Sequence, residues 1–345
     1  MEMLNVNMLL ASDLWSTVIS WFASWIVNYG WTIIVFTIAL KLLMSPLDIL
    51  QRTSSQKQTR FMSAMQPEMA ILQQKYGNDK QRLNQEQAKL YKKYNVNVGG
   101  MCFTMFITLG LSLLIFGTLY GSLRSFGEEK MYESYAKLDA VCIEAQAQAE
   151  NNSSLVDENA KIEFVKDEII VEYKKQQKEN SWLWVKNVWR GDTNTSQIVE
   201  LKAYAKYKKI DKNDADLISR NEIILDAVDE VNPGQNGYYI LLVLAGVISF
   251  LTQFLSTKLL APKGQKLNTM NKVMMAVIPL TMVIFASTSN TVFTLYIITN
   301  SLMTAIISTI ISLVMKSKNK GKTDTDILLP KKNIEVVEYS RNYKK

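Results

Sequence analysis

Lys41 is the residue whose setting most demands a chemical explanation. It sits inside Trp31–Leu47 (WTIIVFTIALKLLMSPL), a stretch otherwise free of charge. An ionisable side chain in such a run costs roughly 2.5–3.5 kcal/mol on insertion scales and marks a functional site by default. A buried ammonium can attract and solvate acidic or polar groups inside a bilayer. The competing reading is snorkelling. Lys41 is six residues from Leu47, about 9 Å along a helix, so its stem could carry the charge to the interface.

Other chemistry is scarce. The chain has no histidine, which removes His-dependent triads, imidazole metal sites and most proton shuttles. Two cysteines are too few for a structural zinc. Cys102 falls early in an apolar run and Cys142 in the charged segment after it, so a bilayer separates them and a disulfide is not expected. No Asp or Glu lies in the uncharged runs, which argues against a carboxylate-based proton carrier or an intramembrane aspartyl protease. No GxxxxGK[ST] phosphate loop is present. An enzyme is the least favoured class, and no cofactor or metal is implied.

The elements that must position Lys41 follow from hydropathy. Beside the run around Lys41 there are uncharged stretches at Asn95–Leu123, Val231–Thr257 and Val273–Met315. A span needs about 20 residues, so the last stretch is long enough for two. Its middle, Ala286–Thr291 (ASTSNT), is a polar turn. The expected fold class is therefore all-α and polytopic, with five transmembrane helices. These are a first span at 31–50, a second at 99–124, a third at 237–260, and a fourth and fifth within 273–315.

Charge orients these spans. Residues 48–98 carry nine Lys/Arg against four Asp/Glu, and the short loop 261–272 is basic. The tail 316–345 carries nine against four, whereas 125–230 carries fifteen against twenty-two. Five spans put all the basic segments on one side and the acidic one opposite, as the positive-inside rule requires. The N-terminus is then outside and the C-terminus cytosolic. Residues 1–30 lack the positive n-region of a cleavable signal. Within them, Asp13–Tyr29 carries Trp15, Trp21, Phe22 and Trp25, which suits an amphipathic helix at the outer interface. The alternative is a remnant of a longer precursor.

Residues 51–98 are expected to form a cytosolic helical hairpin. Gln66-Pro67-Glu68 suits a helix start, and Gly77-Asn78-Asp79 a turn with a ready N-cap. Met62, Met65 and Met69 recur at helical spacing. Methionine is adaptable enough to suit varied apolar surfaces, so these three are candidates for an adaptable apolar contact face; packing of the two hairpin helices is the plainer alternative. The basic face could meet anionic headgroups or RNA, although positive-inside topology alone would also make it basic.

Three separated motifs carry a resemblance: GWTIIVFTIALKLLMSPL, MQPEMAILQQKYGNDKQRLNQEQAKLYKKYNVN and, near the end, LYIITNSL. In order and setting they resemble the YidC family of membrane-protein insertases, over about residues 13–126 and 235–315. The resemblance implies a cytosol-open polar groove with a cation in the first span, at the position of Lys41, where arginine is usual. Lysine keeps the charge as a point rather than a planar fork. Gln253 falls where a groove glutamine is common. Thr37, Thr108, Ser112, Thr294, Asn300 and Thr304 are implied polar lining, each with interhelical hydrogen bonding as the alternative role. Tyr296 matches the family's Leu-Tyr-Trp, but Ile297 stands where the tryptophan would be.

The implied partners are nascent membrane-protein clients and the lipid bilayer, with a Sec-type translocon and the ribosome as further candidates. Ribosome contact would run through the basic hairpin and tail. The insert at 125–236 is longer than the family's usual loop. It shows helical patches at 128–150 and 155–179 and a Trp-rich stretch, 182–189, expected at the outer interface. A translocon-associated scaffold and a small-solute transporter are the competing functions; the lack of an inverted-repeat signal weighs against the transporter.

Overall fold

Long runs of helix formers with few internal breakers should give long helices, and they do. The computed structural model describes residues 2–93, 98–260 and 269–318, and the regular elements among them are all α-helical. The short basic loop falls largely outside the described residues, as does most of the C-terminal tail.

Helix α1 spans Glu2–Trp25 and α2 spans Tyr29–Tyr76. The region expected to break at Gln66-Pro67 does not, and α2 runs through it. The intervening Gln, Lys, Arg, Met and Ala residues favour propagation, and one proline removes a single backbone bond. The turn at Gly77–Asp79 is present, and the Asp79 carboxylate accepts from the Arg82 N–H at 3.0 Å, opening α3 (Lys80–Lys93).

Helix α4 (Val98–Asn151) is 54 residues long, about 80 Å at the helical rise. It runs from apolar sequence straight into the acidic insert, where α5 (Glu158–Asn180), α6 (Leu201–Lys208) and α7 (Ala215–Val231) complete the helical set. On α4, Met131, Tyr135, Leu138, Cys142, Ala145 and Ala149 are buried. Their alternating spacing of four and three puts them on one stripe. Val165, Ile169 and Tyr173 of α5 face the same core as Leu217, Ile224 and Val228 of α7. Partly buried polar groups are paired: Arg220 meets Asp139 at 2.7 Å, and the Tyr135 hydroxyl donates to Asn221 at 2.7 Å.

Cys142 is fully buried in this core, and its thiol is pushed up to about 11, by burial first and by the Asp139 charge second, against the Arg220 guanidinium. Two units above the usual value means roughly a hundredfold less thiolate at pH 8. In a Cys102→Ser background, maleimide is expected to label the native protein at least about a hundredfold more slowly than the unfolded chain. Equal rates would contradict the packing.

The Trp-rich stretch divides. Trp189 is buried, with ring contacts to Tyr29 at 4.8 Å and Phe126 at 5.4 Å. Trp182 lies against Gly30, where a Cβ would sit 2.4 Å from its ring, so only glycine permits the contact. Leu183 and Trp184 remain exposed. Desolvating a large indole is favourable once a core is available to receive it.

Helices α8 (Ile240–Leu260), α9 (Thr269–Ser287) and α10 (Thr291–Lys318) follow. The expected polar turn separates α9 from α10, with Asn290 accepting from the Phe293 N–H at 3.1 Å. Among the described residues three helical stretches are long and apolar enough to cross a membrane: Tyr29–Gln56, Ile240–Leu259 and Thr291–Ser317; Met275–Ser287 is a shorter apolar helix. The expected second span lies in α4, where many side chains between 98 and 109 fall outside the described residues.

The chain divides into two compact units. One comprises Met1–Leu40, Phe116–Phe250 and Val277–Ser301, and the other Lys41–Ile115, Leu251–Ala276 and Leu302–Lys345.

Candidate functional site: a charged cluster on an apolar helix

Lys41, Asp48 and Arg52 are spaced by seven and four residues along α2, which places them on one helical face. The Lys41 ammonium lies 2.9 Å from an Asp48 carboxylate oxygen, and the two side chains are only 14% and 25% exposed. The approach is close enough for an ion pair but lacks the angle of a hydrogen bond at that oxygen. Arg52 donates one guanidinium N–H group to the Ser256 hydroxyl of α8 at 3.0 Å. Its Nη1 is buried and unbonded. Gln253, one turn before Ser256, is half-buried. All five residues belong to the same unit.

Lys41 therefore pairs with the one carboxylate, and Arg52 stands one turn further along the same face. The pairing lowers the cost of holding Lys41 in an apolar segment, while the cluster keeps a net charge of about +1 and a spare buried donor. Such an arrangement can receive an anionic or strongly polar group. The lysine stem leans toward the C-terminal end of the segment, as snorkelling expects, but it ends on a carboxylate. Sequence reasoning did not find this. Asp48 falls near the end of the expected first span, 31–50, and Arg52 just past it in the expected cytosolic segment, and the apolar stretch Tyr29–Gln56 contains both. Their register with Lys41 was the available signal.

The other expected site residues fall as follows. In the cluster's unit, Ser112 is exposed and Thr304 is partly buried, as is Met69, while Met65 is fully buried. The Thr108 and Met62 side chains lie outside the described residues. In the other unit, Thr37 is buried and its hydroxyl donates to the Ile33 carbonyl at 2.6 Å, inside its own helix. Thr294 and Tyr296 are buried, the Tyr296 ring stacking on Phe293 at 5.8 Å, and Asn300 is partly buried. No group of three or more potential metal ligands occurs among the described residues.

Comparison with known proteins adds the context. Residues 21–319 match the family described as 60Kd inner membrane protein. A "Membrane protein insertase YidC" of Maridesulfovibrio salexigens is 38% identical over 104 residues, which is 30% of this chain and 19% of that protein. The protein of the same name in Clostridium tetani is 44% identical over 80 residues, covering 23% of this chain and 34% of that one. The chain thus aligns with about a third or less of the length of these curated relatives. With a match running through α2, the helix that carries Lys41, and on through α10, the chain belongs to the 60Kd inner membrane protein family, that of the YidC insertases.

Proposed function

We propose that this protein is a membrane-protein insertase and chaperone, working without nucleotide hydrolysis. The observation that carries the reading is the cationic cluster around Lys41 on an apolar helix, in a chain whose relatives are named insertases. On this reading the chain has five spans, with the N-terminus outside and the C-terminus in the cytosol of a bacterial cell. The first span runs on into a cytosolic hairpin that meets an apolar client segment through Met62, Met65 and Met69. The client's polar or acidic flank is solvated near Lys41 in a cytosol-open groove. By resemblance, Thr37, Thr108, Ser112, Gln253, Thr294, Tyr296, Asn300 and Thr304 line it. The apolar part of the client leaves into lipid. A polar path shortens the low-dielectric distance a hydrophilic flank must cross, where the cost of insertion lies. Hydrophobic partition drives the step, helped by the membrane potential for acidic flanks. A Sec-type translocon and the ribosome are proposed partners, the latter through the basic hairpin and tail.

The test is protease protection in proteoliposomes, using a single-span client with an acidic N-terminal tail. Tail protection that requires the protein supports insertion. Absence of protection with folded, correctly oriented protein would favour a translocon-bound scaffold instead.

A further inference from the structure

We propose that Asp48 is a resident counterion that sets which clients can use Lys41: a flank reaches the lysine only by displacing the Asp48 carboxylate. The inference rests on the insertase reading and concerns the selectivity of that same site.

Three observations carry it. First, the pair is a charge contact without hydrogen-bond alignment, so exchanging one carboxylate for another forfeits little directional bonding. Second, the displaced Asp48 has a place to go. Arg52 lies one turn further along the same helix and has a buried Nη1 with no acceptor. Exchange therefore converts one pair (Lys41–Asp48) into two (client carboxylate–Lys41 and Asp48–Arg52), and charge balances throughout. Third, a neutral polar flank cannot make this exchange. It would separate Lys41 from Asp48 and return no opposite charge, leaving a poorly solvated cation. The register 41–48–52 thus favours acidic over neutral flanks, and Asp48 sets the threshold between them.

The experiment uses full-length protein in proteoliposomes and two clients that differ only in their tails, one acidic and one with Asn and Gln in place of the acids. The readout is the ratio of protected acidic tail to protected neutral tail. Asp48→Asn removes the pair that a neutral flank would have to separate and is expected to lower that ratio roughly fivefold, the scale of one partly exposed ion pair. Asp48→Glu keeps the counterion and is expected to stay within about twofold of wild type. Arg52→Gln removes the acceptor for the displaced carboxylate and is expected to lower the ratio; it carries the test alone if Asp48→Asn fails to fold. An unchanged or raised ratio in Asp48→Asn, or an unchanged ratio in Arg52→Gln, would overturn the proposal while wild-type insertion of both clients left the insertase reading standing. Wild-type protein that inserts neither client would remove both.

Discussion

Lys41→Leu is expected to reduce insertion of a client with an acidic tail about tenfold, with Lys41→Arg close to wild type. The tenfold figure corresponds to roughly 1.4 kcal/mol. A unit-charge pair at 4 Å is worth about 4 kcal/mol at an effective dielectric of 20 before desolvation is subtracted, so the estimate is a modest remainder. The loss has two sources. The leucine removes the cation that would meet the client, and it also leaves Asp48 without the lysine that lies 2.9 Å away. A partly buried carboxylate beside the client's path would then repel an acidic flank. Arginine preserves the positive charge, and its fork can reach both the Asp48 and client carboxylates. The measurement is protected tail against time for both variants, with a neutral-tailed client as control. An equal loss in Lys41→Leu and Lys41→Arg would mean that the shape of the lysine, not its charge, matters, and the electrostatic account would fail.

The second large effect lies in the insert. Asn236→Ala is expected to destabilise its unit by roughly 3 kcal/mol, since each buried backbone group left unpaired costs about 1–3 kcal/mol. Asn236 is fully buried. Its amide nitrogen donates to the carbonyls of Asn187 at 2.7 Å and Gly191 at 3.1 Å, and its carbonyl oxygen accepts from the Asn187 N–H at 2.8 Å. One side chain thus serves the backbone of a segment almost fifty residues earlier and ties the 182–199 loop to the approach of α8. That loop is mostly irregular, so it has no ladder of its own to replace what is lost. Thermal unfolding and limited proteolysis of the solubilised protein would read the effect. Asn236→Asp keeps the acceptor but sets a carboxylate oxygen against the two backbone carbonyls in a fully buried site, so it should cost at least as much as alanine. A loss below about 1 kcal/mol for alanine would show that water substitutes for the amide.

How much of this was legible beforehand differs from element to element. The helical class followed from composition and period, because burying a backbone in lipid leaves few alternatives. The alternating three-and-four spacing of Tyr135, Leu138, Cys142 and Ala145 was already in the sequence, and α4 buries that stripe. The capped turn at Gly77–Asp79 and the polar turn before Thr291 were legible because their residues hydrogen-bond locally. The start expected at Pro67 failed because a local signal was outweighed by good helix formers on both sides.

The sequence by itself determined that a cation sits in an apolar helix, that the regular elements of the described regions are helical, and which family it belongs to. Each follows from local pattern or from motifs in order. Only the tertiary structure decided what that cation touches and which tryptophans are buried. Lys41 meets Asp48, Arg52 meets Ser256 across to α8, and Trp189 turns into the core while Trp184 does not. Those outcomes depend on side-chain direction and on partners up to about two hundred residues away. Hydropathy assigns every charge near a span to its nearest edge, so it cannot show that three charges sharing one helical face form a single half-buried cluster.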